Sequence, residues 1–185
     1  MTCIVGLEHK NKVYLGSDSA AVGGWTISTI DESKLFTVKS KSGKTSFMIG
    51  YTTSFRFADI MKYHPWLDQD REGNETDKSY LVRVVVHYLR HALKDAAYAK
   101  SESNRESGGT ALIAFNNKLY TLQDEYSIIR YKEGYAAVGC GDQLALGSLA
   151  STHDKAPKVR VKMAIEAAIK HNMGVQGPIH VVEVK

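Results

Sequence analysis

Short β-patterned segments interrupted twice by helix-patterned ones set the order of this chain, and that order limits what it can fold into. Residues 2–7 are β-branched and apolar, Lys10-Asn11-Lys12 is a short polar turn, and residues 13–17 resume the strand pattern, which predicts a hairpin. A second strand pair is predicted over 34–39 and 45–49, joined by a polar stretch with a glycine for the turn. Ser54 can cap a short helix through Met61, stopped before Pro65. Thr76 or Asp77 can cap a longer one, where Leu81, Val84, Val85, Tyr88, Leu89, Ala92, Leu93 and Ala96 form one apolar stripe.

Strands return after a polar, loop-like SESNRESGG segment. Residues 110–115 and 118–122 flank Asn116-Asn117, a strong two-residue hairpin turn. Residues 127–131 and 135–138 make another expected pair around Lys132-Glu133-Gly134. Gly139-Cys140-Gly141 then leads into a small-residue helix over 143–151, Pro157 can open a further helix, and 179–184 reads as a last strand. Two sheets stacked between helical layers would bury such a set, and no linker divides residues 1–185, so one domain is expected.

Apolar residues at 43% and charged residues at 24% exclude a disordered chain. No apolar run approaches the ~18 residues of a membrane span, and MTCIVGLEHK lacks the pattern of a secretory signal, so a cytoplasmic location is expected. The net charge of +4 is mild and its charges interleave, which argues against a nucleic-acid partner. Cys3 and Cys140 have no CxxC spacing and read as reduced thiols. His87 and His91 lie four apart on the long predicted helix, a spacing that can chelate, but no third ligand is evident and a solvated or packed face is the plainer reading. No metal or other cofactor is expected.

Thr2 follows Met1 directly, and methionine removal would leave a hydroxyl nucleophile beside a free α-amine. An α-amine titrates near ~7.7–8.0, so it can accept the hydroxyl proton near neutral pH. Asp18 ends the second strand, Lys34 opens the third, and Gly50 follows the apolar FMI. A lysine near the threonine would lower its pKa, an aspartate would hold that lysine, and an unobstructed glycine N–H could face an oxyanion. Taken singly, each has a plainer role as turn or strand-end residue.

Taken together, TCIVGLEHKNKVYLGSDSAAVGGWTIS, KLF, FMIGYTTS and YAAVGCGDQLALGSL resemble the proteasome β-subunit family of N-terminal-nucleophile hydrolases, which includes the bacterial peptidase HslV. The shared pattern is a threonine, an aspartate sixteen residues on, a lysine a further sixteen on, a glycine after a strand, and a GSG element before a helix. The resemblance implies an α+β fold, a four-layer αββα sandwich of two antiparallel sheets. It also implies a threonine endopeptidase with Thr2 as nucleophile and base, Lys34 as electrostatic activator, Asp18 as its partner and Gly50 in the oxyanion hole. Homo-oligomeric stacked rings, unfolded protein or peptide substrates and an ATP-dependent unfoldase are further expectations of that kind.

The family's serine in GSG is Cys140 here, and Asn172 is the nearest match to its later aspartate. By position in the family, Ala21, Met48 and Thr52 would flank the first substrate pocket, with Glu32 near it. As in HslV, no pro-segment is expected ahead of Thr2. Retained Met1 would instead fit a catalytically silent ring subunit serving as scaffold or chamber, and an amidase acting on a small molecule is a third reading.

Overall fold

A computed structural model describes residues 1–184 of the chain. Strands β1 (Ile4–His9) and β2 (Lys12–Ser17) form the expected hairpin, with Lys10 and Asn11 at φ 48° and 60° in the tight turn. A small hairpin of β3 (Ala20–Gly23) and β4 (Thr26–Thr29) follows, then the pair β5 (Leu35–Lys39) and β6 (Ser46–Tyr51). Helix α1 (Phe55–Tyr63) starts where the Ser54 side chain accepts the Phe57 N–H at 3.1 Å, and it stops before Pro65. Thr76 caps α2 (Asp77–Tyr80) by accepting the Ser79 N–H at 3.2 Å. The helix continues through a π turn (Leu81–Val85) into α3 (Val86–Asp95).

Two expectations need correction here. The polar 101–109 segment is not all loop: β7 (Lys100–Glu102) and β8 (Arg105–Ser107) pair across Ser103 and Asn104, both at positive φ. Their side chains are mostly solvent-facing, so no apolar alternation marked them in the sequence. β9 (Ala111–Phe115) and β10 (Lys118–Leu122) pair across Asn116-Asn117 as expected. The segment after them is not a hairpin. β11 (Ile128–Ile129) pairs with β10, whereas β12 (Tyr135–Val138) pairs with β1 in the other sheet. The Lys132-Glu133-Gly134 turn therefore carries the chain between sheets. Helices α4 (Asp142–Ser151) and α5 (Pro157–His171) precede β13 (His180–Val184), which pairs with β2.

One sheet runs β12-β1-β2-β13 and the other β11-β10-β9-β6-β5, all neighbours antiparallel. Three apolar layers hold four layers of structure together. Ile4, Leu15, Leu35, Leu112 and Leu119 fill the space between the sheets. Val5, Leu7, Val161 and Ile165 lie under α4 and α5, and Ile49, Phe57, Leu89 and Ile113 lie under α1 and α3. Each fully buried side chain of this size contributes about 1.5–3 kcal/mol. The expected αββα sandwich is the observed one. Among the described residues no helix is long and apolar enough to cross a membrane.

The sheets meet so that the start of β1, the end of β2, the start of β5, the end of β6 and the start of β9 share one end of the sandwich. Thr2, Asp18, Lys34 and Thr52–Thr53 are carried there by those strands.

Candidate active site

Thr2 sits just before β1 and is fixed by hydrogen bonds to its own carbonyl and to the backbone of its neighbour Cys3. Its carbonyl accepts the Gly141 N–H at 3.3 Å, the next residue's N–H donates to Asp18 Oδ1 at 3.0 Å, and the Cys3 carbonyl accepts the Asp18 N–H at 3.2 Å. Gly139 passes so close, at φ 102°, that a Cβ there would stand 2.2 Å from the Thr2 carbonyl oxygen. A side chain at that position would push Thr2 out of place.

Lys34 Nζ lies 2.9 Å from Thr2 Oγ1 and 2.9 Å from Asp18 Oδ1. Thr2 is 6% exposed, and Asp18 and Lys34 are fully buried. Asp18 Oδ2 also accepts the Ala20 N–H at 2.9 Å and the Gln176 N–H at 3.4 Å, so its charge is shared among four donors. Burial pushes the Lys34 ammonium below its ordinary range, while the Asp18 charge and hydrogen bond oppose that shift. A fixed cation beside a hydroxyl favours the oxyanion form of that hydroxyl.

The Thr2 N–H points at Cys140 Sγ, 3.3 Å away. That thiol lies 3.4 Å from Asn172 Oδ1 and 3.5 Å from the Thr2 carbonyl, either of which can take its single hydrogen. Asn172 clamps the residue a second time, donating from Nδ2 to the Cys140 carbonyl at 2.7 Å, and its Oδ1 accepts the Gly174 N–H at 2.8 Å. Cys140 is exposed, whereas Cys3 is fully buried and its thiol is pushed far above the ordinary range, chiefly by burial and then by the Asp18 charge. Met1 is attached to Thr2, and its carbonyl accepts the Thr2 hydroxyl.

Gly50 does not join this group. Thr52 donates to the Thr110 carbonyl at 3.0 Å, and the alternation of an antiparallel ladder makes Gly50, two residues earlier, a hydrogen-bonded partner of Leu112. Its N–H is spent inside the sheet. Gly50 is a glycine for packing instead: a Cβ would stand 2.5 Å from Ile4 Cγ2 and 2.9 Å from Leu35 Cδ2.

The residue that sequence reasoning missed is Thr53. A cavity of 190 Å³ adjoins Thr2 and is lined by Val22, Tyr51, Thr52, Thr53 and Phe55. Thr53 has φ 74°, with the Ser54 N–H on the Thr52 carbonyl at 3.0 Å, a γ-turn of the rare positive-φ kind. Its Oγ1 accepts the Thr110 N–H at 3.1 Å, which pins the strained residue to the start of β9. Its own N–H has no acceptor among the described residues. A threonine gives no sequence cue for positive φ, so nothing in the sequence marked it.

Of the expected pocket residues, Thr52 lines this cavity. Met48 lies at the other end of β6, in a larger 640 Å³ hollow with Val13, Phe115 and Val184 that holds none of the groups above. Glu32 is turned to the surface, bound to Lys62 at 2.6 Å. Among the described residues no cluster of three or more His, Cys, Asp or Glu side chains is placed to hold a metal ion.

No family model matches the chain, and no curated protein matches it. Solved structures do. Thiobacillus denitrificans BPH superposes with a TM-score of 0.77 at 16% identity, over 99% of this chain and 97% of that one. The same protein in complex with epoxomicin gives 0.74 at 15%, over 99% and 98%. HslV from Trypanosoma brucei gives 0.66 at 14%, over 99% of both chains, and Anbu (ancestral beta-subunit) from Yersinia bercovieri gives 0.67 at 13%, over 98% and 80%. At these identities the likeness is one of fold, and the chain has the proteasome-like N-terminal-nucleophile fold.

Proposed function

We propose that the chain is a subunit of a proteasome-like ring protease and that, once Met1 is removed, Thr2 cleaves peptide bonds. The observation that carries this reading is the buried lysine whose ammonium touches both the Thr2 hydroxyl and Asp18. A fully buried Lys–Asp pair is a costly way to stabilise a sandwich, whereas beside a nucleophile it holds a positive charge where negative charge develops.

The chemistry follows from these positions. The Thr2 hydroxyl adds to the substrate carbonyl and its proton passes to the freed Thr2 amine. Lys34 stabilises the developing alkoxide, and Asp18 keeps Lys34 charged and aimed. The Thr53 N–H takes the oxyanion role that the sequence had assigned to Gly50. Collapse expels the leaving amine, which takes the proton from the Thr2 ammonium, and leaves an ester on Thr2. The amine then deprotonates a water that hydrolyses this ester. Cys140 Sγ stands 3.3 Å from the nitrogen that becomes the amine, held by Asn172, and orients it. The cavity beside Thr2, with Val22, Tyr51 and Phe55 in its wall, receives an apolar or aromatic part of an unfolded polypeptide. An ATP-driven unfoldase is the partner proposed to supply such unfolded chains.

A silent ring subunit is the second reading, and the state of residue 1 decides between the two. With Met1 attached, the Thr2 nitrogen is an amide and the hydroxyl is engaged by the Met1 carbonyl. Two measurements separate the readings. The intact mass of the purified chain reports the loss of Met1, and an epoxyketone that bonds both hydroxyl and amine reports a competent terminus. A chain that keeps Met1 in its mature form and takes no epoxyketone adduct would end the peptidase reading.

A further inference from the structure

Far from Thr2, the long helix carries a feature the peptidase chemistry does not use. Val84, Val85 and Val86 are buried in succession, which a regular α-helix with one apolar stripe does not allow. The π turn over Leu81–Val85 absorbs the extra residue. After it, Leu89, Ala92 and Leu93 face the core, and His87 and His91 are turned to solvent one above the other. Their ring centroids are 4.5 Å apart, with planes at 67°.

We propose that His87 and His91 form a binding site for a borderline divalent transition-metal ion such as copper, nickel or zinc. Two imidazoles one helical turn apart can ligate one ion, the geometry that helical His-x-x-x-His motifs use. Nitrogen donors select these metals over magnesium and calcium, which prefer oxygen. The remaining positions go to solvent, because no third protein donor stands close enough to complete a cluster among the described residues.

The charges around the pair permit a cation. Arg83, one turn before His87, is held by Glu75 at 3.0 Å through both Nε and Nη2. Arg90 is held by Glu106 on β8 at 2.7 Å. On α1, Arg56 is occupied by the Ala96 carbonyl at 2.6 Å. Lys94 is the remaining nearby cation on α3, and Asp95, one turn after His91, offsets it. This inference is independent of the peptidase reading.

The test is calorimetric titration of the full-length chain with copper(II), nickel(II) and magnesium, in a Cys140→Ser background so that the exposed thiol does not compete. Copper should bind more tightly than nickel, following the usual divalent order, and magnesium should give no heat of binding. His87→Asn and His91→Asn should each weaken copper binding by about tenfold or more, whereas His153→Asn, a change at an exposed histidine on another loop, should not. The copper(II) paramagnetic resonance spectrum should show two coordinating nitrogens in the parent and one in each single variant. Copper binding of the same strength in both single variants, or an equal response to magnesium, would overturn the proposal.

Discussion

Thr2 Oγ1 and Lys34 Nζ are 2.9 Å apart although they lie thirty-two positions apart in the sequence, and both are buried at one end of the sandwich. The lysine's other contact, Asp18, is the same distance away. Removing the ammonium alone would strand a buried carboxylate. Lys34→Met should therefore destabilise the fold by about 3–5 kcal/mol. Adding Asp18→Asn to it should recover part of that loss, because the stranded charge goes too. Urea unfolding of the two singles and the double gives the coupling, and strictly additive singles would contradict it. Peptide hydrolysis should be lost in all three.

Thr2→Ala removes the proposed nucleophile and one of two lysine contacts. Hydrolysis of an unfolded protein substrate should fall by at least about 10³-fold, while stability changes by no more than about 1–2 kcal/mol. Thr2→Ser should keep measurable activity. Turnover assays alongside thermal melts check both halves.

Thr53 offers a sharper test of the oxyanion assignment. Thr53→Gly relieves the strain of a β-branched residue at φ 74° but loses the bond to Thr110 N–H, so activity should stay within a few-fold of the parent. Thr53→Pro fixes φ near about −65° and deletes the N–H. Its kcat should fall by about 10²–10³-fold. A Thr53→Pro protein that folds and retains full kcat would show that the donor is elsewhere.

The two thiols differ in accessibility, and alkylation reads the difference. Iodoacetamide should add once to the native chain, at exposed Cys140, because Cys3 is fully buried and its thiolate is disfavoured. The single adduct should abolish hydrolysis, since it stands against the Thr2 nitrogen. Intact mass before and after unfolding counts the adducts as one and then two.

Acid should weaken the fold through two carboxylates away from the site. Burial works to raise Glu8, but hydrogen bonds from Arg130 and the Leu119 N–H hold it below its ordinary 4.5. Asp77 is likewise raised by burial and lowered more by Lys118, Asn116 and Arg71, to below 3.8. As pH falls the unfolded chain takes up these protons first. The stabilisation is therefore complete above the ordinary values and is lost as pH drops through the lower folded ones. Glu8→Gln should flatten the fall in stability below about pH 4.5, as measured by denaturant midpoints across the acid range.

The hairpins with asparagine turns and the capped helices were legible because local rules decide them: Asn116-Asn117 and Lys10-Asn11 accept positive φ, and Ser54 caps α1. The β11–β12 pairing was misread because strand spacing looks the same whether the chain returns to its own sheet or crosses to the other. The spacing of Thr2, Asp18 and Lys34 pointed to residues that the fold does bring into contact. Gly50 shows the limit of that reasoning. A glycine after a strand looks the same in sequence whether it frees an N–H or makes room for Ile4.

The grip on Thr2 has a consequence for maturation. Gly141, Asp18 and Lys34 all seize the threonine from its own carbonyl, its downstream neighbour or its hydroxyl, and Gly139 leaves its carbonyl just enough room. None of those attachments runs through Met1. Excising the first residue would therefore leave the hydroxyl seated on a platform already built, release it from the Met1 carbonyl and turn the amide nitrogen beside it into an amine.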